Sequence, residues 1–161
     1  MNEYRVVALC QQTVDEVRSS LRAPGYGHPA HVEMATGYGP CRLCLDSFRT
    51  GEEERVLFTY NPFPKTELPC PGPIFVHKAS CSRYERSGFP PGLLGLPLTL
   101  EGYDDSGLAV LRVNVTCDPD GAVKEVFSRP QVAHAHIRNT EAGCFIARIE
   151  RSEPSLGPPR S

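Results

Sequence analysis

The chain has 161 residues, with 17 Lys+Arg against 19 Asp+Glu and a formal net charge of −2, a balance that argues against binding nucleic acid or a membrane surface through charge. Apolar residues make up 40% and charged residues 22%, too apolar for a disordered chain and enough for one compact domain with its own core. No apolar run reaches the roughly 18 residues of a membrane span, and the start Met1-Asn2-Glu3-Tyr4-Arg5 lacks a signal-peptide pattern, so a cytoplasmic protein is expected.

With 16 Pro and 14 Gly, the chain is interrupted too often for long helices. Tyr4 to Leu9, rich in β-branched and aromatic residues, reads as a strand. Thr13-Val14-Asp15-Glu16 fits a capping box, and Val14, Val17 and Leu21 then share one helical face until Pro24-Gly25. The stretch from Gly25 to Gly39 reads as an irregular connection with a strand at His31 to Thr36. Glu54 to Tyr60 and Ile74 to Val76 read as strands separated by a loop holding Pro62, Pro64, Pro69, Pro71 and Pro73, which cannot join a ladder. Lys78 to Arg86 reads as a short helix. Leu98 to Tyr103 and Leu108 to Thr116 flank Asp104-Asp105-Ser106-Gly107 and predict a hairpin. Asp118 caps a helix with Pro119 at its first position, ended by Arg129-Pro130. Val132 to Arg138 and Cys144 to Glu150 form a last hairpin, and residues 152–161 read as a disordered tail. About three short helices and seven strands joined by hairpin turns predict a single α+β domain over residues 1–151, on an antiparallel or mixed sheet.

Seven cysteines, at 10, 41, 44, 70, 81, 117 and 144, are an odd number in a chain without a secretion pattern, which points to free thiols or metal ligands rather than a disulfide framework. Cys41-Arg42-Leu43-Cys44 places two sulfurs close enough to share a cation. His77-Lys78-Ala79-Ser80-Cys81 supplies an imidazole and a third thiolate, and antiparallel pairing of the strands on either side of the proline loop brings residue 54 near residue 77. Cys41, Cys44, His77 and Cys81 then form a tetrahedral zinc set, closed and structural because no position is left for water. Knuckle, hairpin and ligands at a helix start resemble a treble clef. Two half-buried thiols without metal remain the competing reading. A redox dithiol ranks last, because Leu45 to Glu52 reads as a turn rather than the helix whose N-terminus would activate a thiolate. Cys70 is less well placed, inside the proline loop.

Period two along the last hairpin puts His134, His136 and Arg138 on one face. If Arg138 lies opposite Cys144, then His136 opposes Ile146 and His134 opposes Arg148, and two imidazoles, two guanidinia and a thiol form an anion site. Protonated imidazoles would then make anion binding stronger at pH 6 than at pH 8. A solvated polar edge is the alternative, and a third reading makes Cys144 a nucleophile with His134 or His136 as its base.

Pro40-Cys41-Arg42-Leu43-Cys44-Leu45, Gly51-Glu52-Glu53, Gly72-Pro73-Ile74-Phe75-Val76-His77, His134-Ala135-His136-Ile137-Arg138-Asn139 and Gly143-Cys144-Phe145-Ile146-Ala147-Arg148 together resemble the bacterial proteins grouped as domain of unknown function family 1203. The resemblance runs from about Tyr4 to Arg151. It implies a bacterial cytosolic single-domain protein and supplies no mechanism. The segment around His136, Asn139, Cys144 and Arg148 is its more characteristic motif and the place for a shared ligand site. The sequence therefore predicts a non-catalytic module with a structural zinc, binding an unknown protein or a small anionic ligand through His134, His136, Arg138, Asn139 and Arg148. The rival is a Cys144 enzyme. Neither nucleic acid nor a membrane is an expected partner.

Overall fold

Two antiparallel sheets share the strands. The computed structural model describes residues 4–25, 27–36, 40–61, 72–141 and 143–152. The larger sheet has the order β1 (Tyr4–Val7), β8 (Phe145–Arg151), β7 (His134–Asn139), β5 (Leu98–Tyr103), β6 (Ala109–Asn114); the smaller has β2 (His31–Met34), β3 (Glu54–Tyr60), β4 (Gly72–His77). Every strand pair is antiparallel. Two α-helices, α1 (Gln11–Ser20) and α2 (Pro119–Phe127), and a 3-10 turn at Pro91–Leu93 complete the described elements. None of the described helices is long and apolar enough to cross a membrane.

Period two gives the larger sheet one apolar face, with Val6, Ile149, Ala147, Ala135, Ile137 and Leu100 in a core closed by Val123 and Val126 of α2. Gly102 permits that approach: a Cβ there would stand 2.9 Å from Val126 Cγ1. The α2 helix starts as expected, with Asp118 Oδ1 accepting from the Gly121 amide at 3.0 Å and Pro119 in its first turn. Asp104 Oδ1 likewise fixes the β5–β6 turn by accepting from the Ser106 and Leu108 amides. A second core joins Val14 and Val17 of α1 to Val56, Phe58, Ile74 and Val76 of the smaller sheet.

Several expectations need correction. The α1 helix begins at Gln11 with Cys10 as its cap, not at the Thr13 box, because Cys10 O already accepts from the Val14 amide. Leu21 is not on the buried face: it takes a left-handed conformation (φ 54°) at the helix end and is exposed. Residues 78–86 form no helix, since their donors serve distant partners. The Lys78 amide bonds Glu54 O, the Tyr84 amide bonds Leu43 O, and the Arg83 guanidinium bonds Ala8 O and Leu9 O. Among the described residues the number of α-helices is therefore two. With no helix at Cys81, the treble-clef comparison also fails in its last part. The proline-rich loop also ends sooner than expected: Pro73 joins β4 opposite Thr59, tolerated because β4 is an edge strand, while residues 62–71, with Cys70, and the tail from residue 153 lie outside the described residues.

Candidate metal centre

Pro40 and Ser47 bridge to close a knuckle in which the Cys41 amide donates to Asp46 O and the Leu45 amide returns to Cys41 O at 2.8 Å. Leu45 reverses the chain at φ 62°. The Arg42 amide docks this knuckle on β4 through Phe75 O. The β3–β4 register sets Arg55 against His77, so the strand end presents the imidazole to the knuckle. Cys81 arrives from the irregular segment that follows. Donor atoms of Cys41, Cys44, His77 and Cys81 all lie within 4.8 Å of one another.

The separations are informative. Cys41 Sγ is 3.8 Å from Cys81 Sγ, and Cys44 Sγ is 3.5 Å from His77 Nδ1. All three cysteines are free thiols. Tetrahedral coordination with Zn–S bonds of about 2.3 Å and a Zn–N bond of about 2.0–2.1 Å sets sulfurs about 3.8 Å apart and sulfur about 3.5 Å from nitrogen. The four side chains can hold one metal ion with all ligand positions filled by protein.

Three residues that sequence patterns did not expose complete the surroundings. Glu53 Oε1 lies 3.0 Å from His77 Nε2 and also accepts from the Arg49 amide at 2.8 Å. This carboxylate holds the imidazole with Nδ1 toward Cys44, as partners of metal-bound histidines do. Arg18 of α1 donates from Nη2 to Cys81 Sγ at 3.4 Å and from Nε to His77 O at 2.9 Å. Arg42 is 3% exposed, and its guanidinium donates to Phe145 O and Pro40 O, both at 2.7 Å. Burial lowers its pKa to about 10, opposed by the sulfurs of Cys144 and Cys41. Three thiolates, a neutral imidazole and a dication would sum to one negative charge, and the charged groups around it include the guanidinia of Arg42 and Arg18 and the carboxylate of Glu53. Only Glu53 had a legible signal: it stands two residues before Arg55, the partner of His77.

Crowding perturbs Cys41, Cys44 and His77. Hydrogen bonds from Cys44 and then Cys81 hold the Cys41 thiol far below its ordinary range, and the shared contact drives Cys44 upward. The sulfurs of Cys41 and Cys81 push His77 up to about 10. The Leu43 and His77 amides also point at Cys41 Sγ, at 3.4 and 3.3 Å. Three sulfurs and an imidazole converging on one point are a donor set suited to a soft or borderline cation. Cys41 is fully buried, whereas Cys44 and Cys81 line one side of an open cleft of about 830 Å³ with Asp46, Arg49 and Tyr84.

The last hairpin is arranged differently from expectation. His134 opposes Glu150, His136 opposes Arg148 and Arg138 opposes Phe145, with a bulge between Ile137 and Arg138. The Asn139 amide donates to Cys144 O, and Asn139 Oδ1 accepts from the Glu141 amide, so Asn139 shapes the turn. His134, His136, Arg138 and Arg148 do share one face, as expected. Cys144 and Ile146 do not share it: Cys144 precedes β8, and Ile146 turns into the core. The bulge accommodates the extra residue that the simple register omits. Glu101 and Glu150, also on this face, bind the guanidinia. Arg138 and Arg112 pair with Glu101, and Arg148 and Arg5 pair with Glu150. His136 is 1% exposed, packed against Tyr103 and Phe145. Desolvation, then Arg138, lowers its pKa to about 2, and desolvation lowers that of His134 as well. His136 is therefore neutral at pH 6, contrary to its expected protonation, and burial disfavours the charged form of His134.

A family model described as protein of unknown function (DUF1203) matches residues 38–151. The chain belongs to the DUF1203 family. The matched region of this DUF1203 protein contains all four cluster residues, Glu53 and the whole β7–β8 hairpin. No curated protein and no solved structure matches the chain.

Proposed function

We propose that this DUF1203 protein is a non-catalytic binding module of the bacterial cytosol, built around one structural zinc ion on Cys41, Cys44, His77 and Cys81. The observation that carries the reading is the agreement of the 3.8 Å sulfur–sulfur and 3.5 Å sulfur–nitrogen separations with tetrahedral zinc edges. Four protein ligands leave no open position for water, which favours a structural ion over a catalytic one. Three neighbouring free thiols suit a reducing compartment.

The binding surface in this reading is the polar face of the larger sheet. Arg5, Arg112, Arg138 and Arg148 there outnumber Glu101 and Glu150, so a small anion is the favoured ligand. The alternative enzyme has less support. Cys144 O pairs with the Asn139 amide, and Asn139 lies three residues, about 10 Å of extended chain, from His136.

Metal analysis of protein purified under reducing conditions without a His tag tests the proposal. One zinc per chain is expected, and its loss in Cys44→Ser. A reduced, folded chain with no metal would defeat it. Thiol labelling addresses the rival: a catalytic Cys144 would react far faster than exposed Cys117.

A further inference from the structure

Cys81 differs from the other three ligands in what holds it. Cys41 and Cys44 sit in the knuckle, tied by the Leu45 amide to Cys41 O and the Cys41 amide to Asp46 O, and His77 ends β4. Cys81 lies on residues 80–86, which have neither helix nor strand around it. Its neighbourhood is fastened by Arg18 on its sulfur and by the Tyr84 amide on Leu43 O. The Cys81 side chain is half-buried and lines the open cleft, so a small solute reaches its sulfur from solvent. Behind it, 3.8 Å away, is the buried sulfur of Cys41. A sulfur at a cleft wall, on a segment outside the sheet ladders that is tied through Arg83 and Tyr84, with a second sulfur in attacking range, has the parts of an oxidisable pair.

We infer that Cys81 and Cys41 are a peroxide-sensitive pair whose oxidation to a disulfide expels the metal. The inference rests on the zinc reading above. Hydrogen peroxide is the oxidant. The Cys81 thiolate attacks one peroxide oxygen; an S–O bond forms, the O–O bond breaks, and hydroxide leaves, so sulfur loses two electrons and peroxide gains them. The Cys41 thiolate then attacks the Cys81 sulfur; the S–S bond forms as the S–O bond breaks, and a second hydroxide leaves. Two solvent protons convert the hydroxides to water. The sulfurs close from 3.8 Å to about 2.05 Å, a movement that the irregular segment supplies more readily than the knuckle. Two thiolate ligands are consumed, and Cys44 with His77 alone do not complete a tetrahedral zinc site. Arg18, bonded to both Cys81 Sγ and His77 O, carries the change to α1.

The test uses the full reduced, metal-loaded chain, treated with hydrogen peroxide in the presence of a chromogenic zinc chelator, with disulfides mapped by peptide mass spectrometry. Zinc release is expected to track a Cys41–Cys81 disulfide, at least about tenfold faster than oxidation of exposed Cys117, and to be reversed by dithiothreitol plus zinc. Cys117→Ser is expected to leave the release rate unchanged. Retention of zinc while Cys117 oxidises would overturn the inference, as would a disulfide from Cys41 to Cys44, or Cys81 passing to sulfinic acid while Cys41 stays reduced. Metal content before peroxide is a separate readout: a reduced chain without zinc defeats the zinc reading, while the mapped pair still decides the thiol assignment.

Discussion

At the scale of single residues, Glu53 decides how well His77 can serve as a ligand. By accepting from Nε2 at 3.0 Å while anchored by the Arg49 amide, it fixes both the tautomer and the ring plane. Glu53→Gln is expected to weaken zinc affinity about 10- to 100-fold with the fold retained at saturating zinc, measured by competition with a chelator of known affinity. His136 supplies a second test. Its folded pKa is lowered to about 2, against an ordinary value near 6.5, so the unfolded chain binds the proton more tightly. Its contribution is complete above pH 6.5 and lost as pH falls toward 2. Between pH 6.5 and 5, above the range where the carboxylates titrate, unfolding free energy should fall by up to about 1.4 kcal/mol per pH unit. His136→Phe, which keeps the ring packing against Tyr103 and Phe145, is expected to reduce that slope in denaturant melts. An unchanged slope would mean that the imidazole titrates normally.

At the scale of the element, the β7–β8 hairpin owes its chemistry to register. Pairing His136 with Arg148 rather than Ile146 places a guanidinium across from that buried ring and sets Glu150 opposite His134. With His136 neutral and the charged form of His134 disfavoured by burial, the guanidinia supply most of the positive charge for an anion. Sulfate, whose charge is constant over the range, is therefore expected to raise Tm at pH 8 as well as at pH 6. At tenfold over Kd the gain is about 1.4 kcal/mol, or roughly 3–6 °C. Arg148→Ala should remove the shift, since Arg148 is the half-exposed guanidinium nearest the histidines. Thermal unfolding at matched ionic strength checks this, and a shift that survives in Arg148→Ala would assign it to general salt effects.

At the scale of the whole molecule, the cluster lies where the two cores meet. Cys41 and Leu43 pack with α1 and the smaller sheet, while Leu45 and Tyr84, each a few residues from a ligand, belong to the core of the larger sheet. Arg42 Nε reaches across to Phe145 O of β8, and Arg42 O accepts from the Leu9 amide. An ion on these four ligands links segments that the backbone ladders leave separate. Chelation is expected to remove about 4 kcal/mol at free zinc a thousandfold above Kd, a fall in Tm of roughly 8–16 °C. Hydrogen exchange should show protection lost at Val56 and Val76 before Leu100 and Ile137, because the smaller sheet has three strands and leans on the knuckle. Simultaneous loss in both sheets would show that they form one cooperative unit without metal.

Features set by contacts within a few residues were legible in the sequence. Asp118 capping α2, Asp104 closing the β5–β6 turn and the alternating strands all follow from local hydrogen bonding and side-chain period. The cluster was legible because C-x-x-C confines two sulfurs to one turn, and a hairpin between residues 54 and 77 is enough to add the other two ligands. What lies between distant segments was not. Residues 78–86 have helix-compatible spacing, yet their amides and guanidinium are spent on Glu54, Leu43, Ala8 and Leu9, which only the assembled chain brings near. Glu53, Arg18 and Arg42 read as ordinary surface charges in one dimension; the packed knuckle turns them into a histidine partner, a thiolate donor and a buried counter-charge. The hairpin register escaped for a similar reason: a bulge shifts pairing without altering the alternation that a sequence displays, and the core's demand for Ile146 decided where it fell.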